Sequence, residues 1–89
     1  MVSKEISIIN KLGLHARAAA KFVSLASTFG ADIRVSKDGK TVNGKSIMGV
    51  MMLAASQNSS IKIIIDGEDE QAAMQQLEAL IADRFGEEI

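Results

Sequence analysis

The 89-residue chain has no cysteine, no proline, no tryptophan and no tyrosine, and it has a single histidine. Without cysteine it can form neither a disulfide framework nor a thiolate nucleophile. With only one histidine, a zinc site would need mostly carboxylates, so no metal and no cofactor are expected. Three phenylalanines and a net charge of −1 supply neither stacking platforms nor an electrostatic footprint for nucleic acid. No stretch approaches the ~20 apolar residues of a membrane span. The first ten residues, MVSKEISIIN, are interrupted by Lys4 and Glu5 and lack the apolar run of a signal peptide. The chain is expected to be cytoplasmic and monomeric, without membrane insertion, and to form a single domain over residues 1–89 with one small core.

The 47% hydrophobic and 24% charged residues suit a globular protein, and their order carries the fold. KEISIIN alternates, with Ile6 and Ile8 opposite Glu5 and Ser7, as in a half-buried strand. After Gly13 the period lengthens. Ala19, Phe22, Val23, Ala26 and Phe29 fall at helical spacing, which predicts a helix over 16–28 ended by Gly30. ADIRVSKDGKTVN alternates through Ile33 and Val35, and Asp38-Gly39 marks a tight hairpin with Val42 on the return strand. Ser46 opens a short apolar helix reaching Leu53. SIKIIID reads as a fourth strand with Ile61, Ile63 and Ile65 on one face. Asp69 is placed to cap a last helix striped by Ala73, Leu77, Leu80 and Ile81. The order β-α-β-β-α-β-α, with one apolar face per strand, predicts a two-layer sandwich with helices on one side of the sheet.

His15 stands where the first strand gives way to the first helix. The first N–H groups of a helix have no internal partner and the dipole is positive there, so such an end receives anions, phosphate above all. The same positive end favours a neutral, nucleophilic imidazole. Had His15 taken a phosphoryl group, the helix end and Arg17 could both hold its oxygens. The plainer alternative makes His15 a cap and Arg17 a solvated side chain.

Residues 47–55, IMGVMMLAA, contain no polar side chain. A short helix on a two-layer fold buries one face, so some of Ile47, Met48, Met51 and Met52 should stay exposed. Methionine adapts to different surfaces, which suits a docking patch, although a greasy core helix would look the same. Ala16 and Ala20 are small enough to let a partner approach His15.

Residues 39–46, GKTVNGKS, satisfy the P-loop pattern from Gly39 to Ser46, so a small nucleotide-binding protein is the alternative function. A doubly wound parallel sheet needs far more chain than this, and Asp38-Gly39 already explains the first glycine. Ser46 also reads simply as an N-cap.

The run from Asn10 to Arg17, NKLGLHAR, followed by Ala19-Ala20 and later by Gly44-Lys45-Ser46-Ile47-Met48, resembles the HPr family. These are the histidine-containing phosphocarriers of the bacterial phosphoenolpyruvate-dependent phosphotransferase system. The resemblance implies an open-faced sandwich of four antiparallel strands, order 1-4-2-3, with three helices on one face. It implies a stoichiometric carrier rather than an enzyme, in sugar uptake or regulation. His15 would accept phosphate from Enzyme I on Nδ1 and pass it to an EIIA-type domain, with Arg17 steadying it. Ser46 would be a regulatory serine, the target of an HPr kinase/phosphorylase. One residue departs from the family pattern: Ala18 replaces the usual proline, which leaves the nitrogen-related NPr branch open as well.

Overall fold

The protein is described from a computed structural model covering residues 1–88. Its elements are β1 (Val2–Ser7), α1 (Ala16–Ala26), β2 (Asp32–Lys37), β3 (Lys40–Asn43), α2 (Ile47–Met52), β4 (Ser60–Asp66), α3 (Glu70–Ala82) and a 3₁₀ turn at Arg84–Gly86. The expected order holds; the terminal turn was not expected. All strand pairs are antiparallel, in the order β1-β4-β2-β3. Only the β2–β3 hairpin is local. Its two-residue turn has positive φ at both Asp38 (51°) and Gly39 (82°), the turn whose twist matches that of paired strands.

Alternation places Ile33 and Val35 of β2 and Ile61, Ile63 and Ile65 of β4 in the core, all essentially inaccessible. The intervening Arg34 and Lys62 are exposed, so one face of the sheet is wet. Ile64, on the same wet face, lies between Ser3 and Arg34 in register and is half-buried there. The opposite face is roofed by helices. α1 contributes Ala18, Ala19, Phe22, Val23 and Ala26, and α3 contributes Ala73, Met74, Leu77 and Ile81. Leu80 lies at the margin of that stripe, only partly buried, and Met74 takes its place in the core.

Two helix ends differ from expectation. α1 closes at Ala26 rather than Thr28: Ser27 N–H still donates to Val23, but the two N–H groups after it turn onto i−3 carbonyls, Thr28 donating to Leu25 and Phe29 to Ala26. Asp69 precedes α3 but makes no side-chain cap bond to it. Its carboxylate instead accepts from the N–H groups of Gly30 (2.9 Å) and Ala31 (3.0 Å). The start of α3 is thereby tied to the loop leading into β2. Glu70 takes the N–H of Gly67 at 3.1 Å. Ser46 behaves as expected: its Oγ accepts from the Gly49 N–H at 3.1 Å and caps α2.

Candidate functional site

His15 is the N-cap of α1, with extended backbone (φ −74°, ψ 179°) and no side-chain capping bond. Its carbonyl accepts the first helical hydrogen bond, from Ala19 N–H at 2.8 Å. The N–H groups of Ala16, Arg17 and Ala18 therefore precede the first internal bond and make none among the described residues. The helix end is open. The His15 side chain is 28% exposed, so it is held by its neighbours yet accessible to a partner. Arg17 is exposed, and its side chain makes no hydrogen bond or ion pair among the described residues, which leaves the guanidinium free for an anion.

The loop delivering His15 is fixed by Gly13 and Asn10. Gly13 has φ +67°, and a Cβ there would lie 2.4 Å from the Ala55 carbonyl oxygen. Only glycine permits that approach, which lets Leu14 N–H donate to the same carbonyl at 2.8 Å. The segment following α2 is thereby locked beside the histidine loop. Asn10 is completely buried. Its Nδ2 donates to the Gly13 carbonyl at 2.9 Å and to Glu87 Oε1 at 2.8 Å, while its Oδ1 is buried without a partner among the described residues.

Glu87 adds a group that the sequence did not announce. Its other carboxylate oxygen, Oε2, is hydrogen-bonded to Nε2 of His15. The ring is thus not in purely positive surroundings, as the helix end alone suggested; a carboxylate rests on it. The Asn10 amide, then His15, and more weakly the charge of Arg17 hold the Glu87 carboxyl below the ordinary carboxylate range. Burial works in the opposite direction.

The chain reaches this position through a costly backbone. Arg84, Phe85 and Gly86 all have positive φ (55°, 56° and 77°), and for the two non-glycine residues that conformation costs about 1–2 kcal/mol each. Complete burial of Phe85 offsets roughly 1.5–3 kcal/mol of this. Lys21 Nζ fastens the Phe85 carbonyl at 2.7 Å. A sequence cue existed: Phe85, one of three aromatic residues, lies beyond the last apolar stripe and signals a tail that returns to the core.

Ile47 (44% exposed), Met48 (70%), Met51 (38%) and Met52 (62%) are all open to solvent, and Leu12 (58%) joins them as an exposed apolar side chain. Val50 is the buried residue of α2. Ala16 is exposed and Ala20 half-buried. Ala20 and Arg17 share one shallow groove with Lys21, Ser24, Leu25 and Leu80.

The P-loop pattern is not a phosphate cradle. Gly39 belongs to the hairpin turn and residues 40–43 form β3. The N–H groups that should face phosphate are used internally: Gly44 donates to the Ile33 carbonyl (2.7 Å), Ser46 to the Asn43 carbonyl (3.1 Å) and Lys45 to Asn43 Oδ1 (2.9 Å). The Lys45 ammonium is occupied by the Phe29 carbonyl at 2.7 Å. The nucleotide-binding alternative is set aside.

The fold and site define a class by geometry, an antiparallel open-faced sandwich whose one histidine is the N-cap residue of a helix with an open N-terminal end. Comparison with known proteins narrows the class. Residues 2–83 match the family PTS-HPr, described as the PTS HPr component phosphorylation site. The phosphocarrier protein HPr of Cupriavidus necator is 55% identical over 87 residues, covering 98% of each chain. The crystal structure of HPr-C-His from Thermoanaerobacter tengcongensis superposes with a TM-score of 0.96 at 50% identity, covering 100% of both chains. An HPr dimer from the same organism gives a TM-score of 0.79 at 50% identity, covering 98% of this chain and 100% of that one. The chain belongs to the HPr family of the phosphotransferase system. Glu87 lies beyond the residues matched to the family.

Proposed function

We propose that His15 is the phosphoryl-accepting residue of this phosphocarrier, taking the group from phosphorylated Enzyme I and passing it to an EIIA-type domain. The observation that carries this reading is the open end of α1. An N-cap histidine that makes no capping bond leaves three backbone N–H groups available beside its ring. A phosphoryl group there meets oriented donors and the positive end of the helix dipole. Arg17, without another partner among the described residues, contributes a charge-assisted bond to the phosphate. The chain acts as a stoichiometric carrier rather than an enzyme, as one domain over residues 1–89, monomeric and cytoplasmic. Partners dock on the apolar patch of Ile47, Met48, Met51 and Met52, and on the small residues Ala16 and Ala20 of α1. Ser46, at the cap of α2, is the regulatory site for an HPr kinase/phosphorylase.

The test is incubation with phosphoenolpyruvate and Enzyme I, followed by intact and fragment mass spectrometry. One phosphate is expected, on His15, stable to alkali and labile to acid as a phosphoramidate is. His15→Ala should abolish it without loss of fold. Label that persists in this variant refutes the assignment.

A further inference from the structure

We infer that Glu87, anchored by Asn10, is a positioning residue that holds the His15 ring in one tautomer and presents Nδ1 as the phosphoryl acceptor. The inference deepens the assignment of His15 and rests on it. Three observations place the parts. Glu87 Oε2 is bonded to Nε2 of His15, Glu87 Oε1 accepts from Asn10 Nδ2, and Asn10 is completely buried with its amide oxygen unpartnered among the described residues.

The orientation of Asn10 follows from its neighbours. Its amide faces two acceptors, the Gly13 carbonyl and the Glu87 carboxylate. Turning the amide over would set oxygen against both, so the donor side must face them. An unpartnered buried oxygen is the consequence, and a buried acceptor left unpaired is unfavourable. Asn10 is kept for its donors. They fix the Glu87 carboxylate at one oxygen and leave the other for the histidine.

A carboxylate can only accept a hydrogen bond, so the ring nitrogen facing it must carry the proton. In the neutral ring this places the hydrogen on Nε2 and the lone pair on Nδ1. When the Nδ1 lone pair forms its bond to phosphorus, the bond from phosphorus to the donor breaks and the donor leaves with that electron pair. The proton on Nε2 stays in place, and the positive charge that develops on the ring is met by Glu87. A buried amide orients a carboxylate, which orients and neutralises the imidazole, as a third group does for the base of a catalytic triad.

The tail supplies rigidity. The buried Phe85 and the bond from Lys21 to its carbonyl hold the three residues before Glu87 in left-handed backbone. The carboxylate is therefore delivered from a pinned segment.

Glu87→Gln is the informative change. Gln puts an oxygen at one of the two carboxylate positions and an NH2 at the other, so it cannot present an acceptor at both to Asn10 and His15. Glu87→Ala removes both acceptors and guards against partial substitution by the amide. For each variant the measurements are a melting curve, the phosphoryl-transfer rate as a function of phospho-Enzyme I concentration, and the ring-proton NMR spectrum of the unphosphorylated protein. Both variants should lower the maximal rate by roughly 10- to 100-fold, the effect of losing one charge-assisted bond formed with the developing ring charge. KM should change little, because Glu87 lies outside the proposed docking residues. Wild type should show a discrete downfield Nε2–H resonance that both variants lose. An unchanged rate in both variants, or an unchanged resonance, overturns the positioning role while leaving His15 as acceptor. A wild-type protein that takes no phosphate on His15 overturns both.

Discussion

Gly13→Ala probes whether the histidine loop is held rigidly against the segment after α2. The substituted residue would have to keep φ near +67°, which costs about 1–2 kcal/mol for a residue with a Cβ. That Cβ would also lie 2.4 Å from the Ala55 carbonyl oxygen and 2.9 Å from the Ser56 Cα. Both are backbone atoms that cannot swing aside, so the loop itself must withdraw. Withdrawal breaks the Leu14 to Ala55 bond and strains the Asn10 bond to the Gly13 carbonyl, at roughly 0.5–1.5 kcal/mol for each bond lost. The sum is about 1.5–3.5 kcal/mol with the Leu14 bond lost, and up to about 5 kcal/mol if the Asn10 bond goes as well; for a domain of this size each kcal/mol lowers Tm by about 4–8 °C. Gly39→Ala is the matched control: its φ is +82°, but nothing lies within 4 Å of the added Cβ. It should show the backbone cost alone. Thermal melts of the two variants, with phosphorylation of His15 by Enzyme I measured alongside, give the comparison. Gly13→Ala should lose more stability and should also slow phosphorylation, while Gly39→Ala should leave transfer unchanged. Equal losses in the two variants would refute the claim that the Gly13–Ala55 contact positions the histidine.

Arg17→Ala removes an exposed side chain that makes no hydrogen bond or ion pair among the described residues, so melting should be unchanged. Phosphoryl transfer should slow by about one to two decades, the equivalent of a charge-assisted bond of roughly 1.5–3 kcal/mol, and unaltered kinetics would make it a bystander. Ser46→Asp keeps an acceptor for the Gly49 N–H and adds negative charge at a helix N-terminus, an effect of about 0.3–1 kcal/mol. Stability should be level or slightly raised while kcat/KM with Enzyme I falls; a large drop in Tm would show that the serine itself is structural. Ala18→Pro replaces a third-position helical residue whose N–H is unpaired among the described residues, so proline should be tolerated and could add about 0.4–1 kcal/mol through the unfolded chain. A melting experiment showing a loss near ~3 kcal/mol, the cost of proline inside a helix, would place the helix start before His15.

The sequence by itself was sufficient for most of what local period and turn chemistry carry. Alternation at Ile33 and Val35 and at Ile61, Ile63 and Ile65 gave the strands and their buried face. The spacing of Ala19, Phe22, Val23 and Ala26 gave α1, Asp38-Gly39 gave the hairpin, and Ser46 gave the cap of α2. These signals are legible because each arises among residues a few positions apart, where backbone geometry dictates which side chains share a face. The place of His15, at the junction of two periods and the start of α1, is legible in the same way. The exposed patch on α2 was legible as well, since a six-residue helix (Ile47–Met52) cannot bury an apolar surface on all sides.

What only the tertiary structure decided depends on groups far apart in the chain. Asp69 stands where an N-cap belongs, yet its carboxylate serves Gly30 and Ala31, because α3 begins beside the loop that enters β2. The nominal phosphate lysine of the GKTVNGKS segment is occupied by Phe29 for the same kind of reason. The partners of His15 are the clearest case. Glu87 follows it by 72 positions and follows Asn10 by 77, and no local pattern links the asparagine to the glutamate. Their meeting requires Phe85 to be buried and the backbone of Arg84 and Phe85 to turn left-handed, a conformation that local preference disfavours and only packing against the finished core can hold.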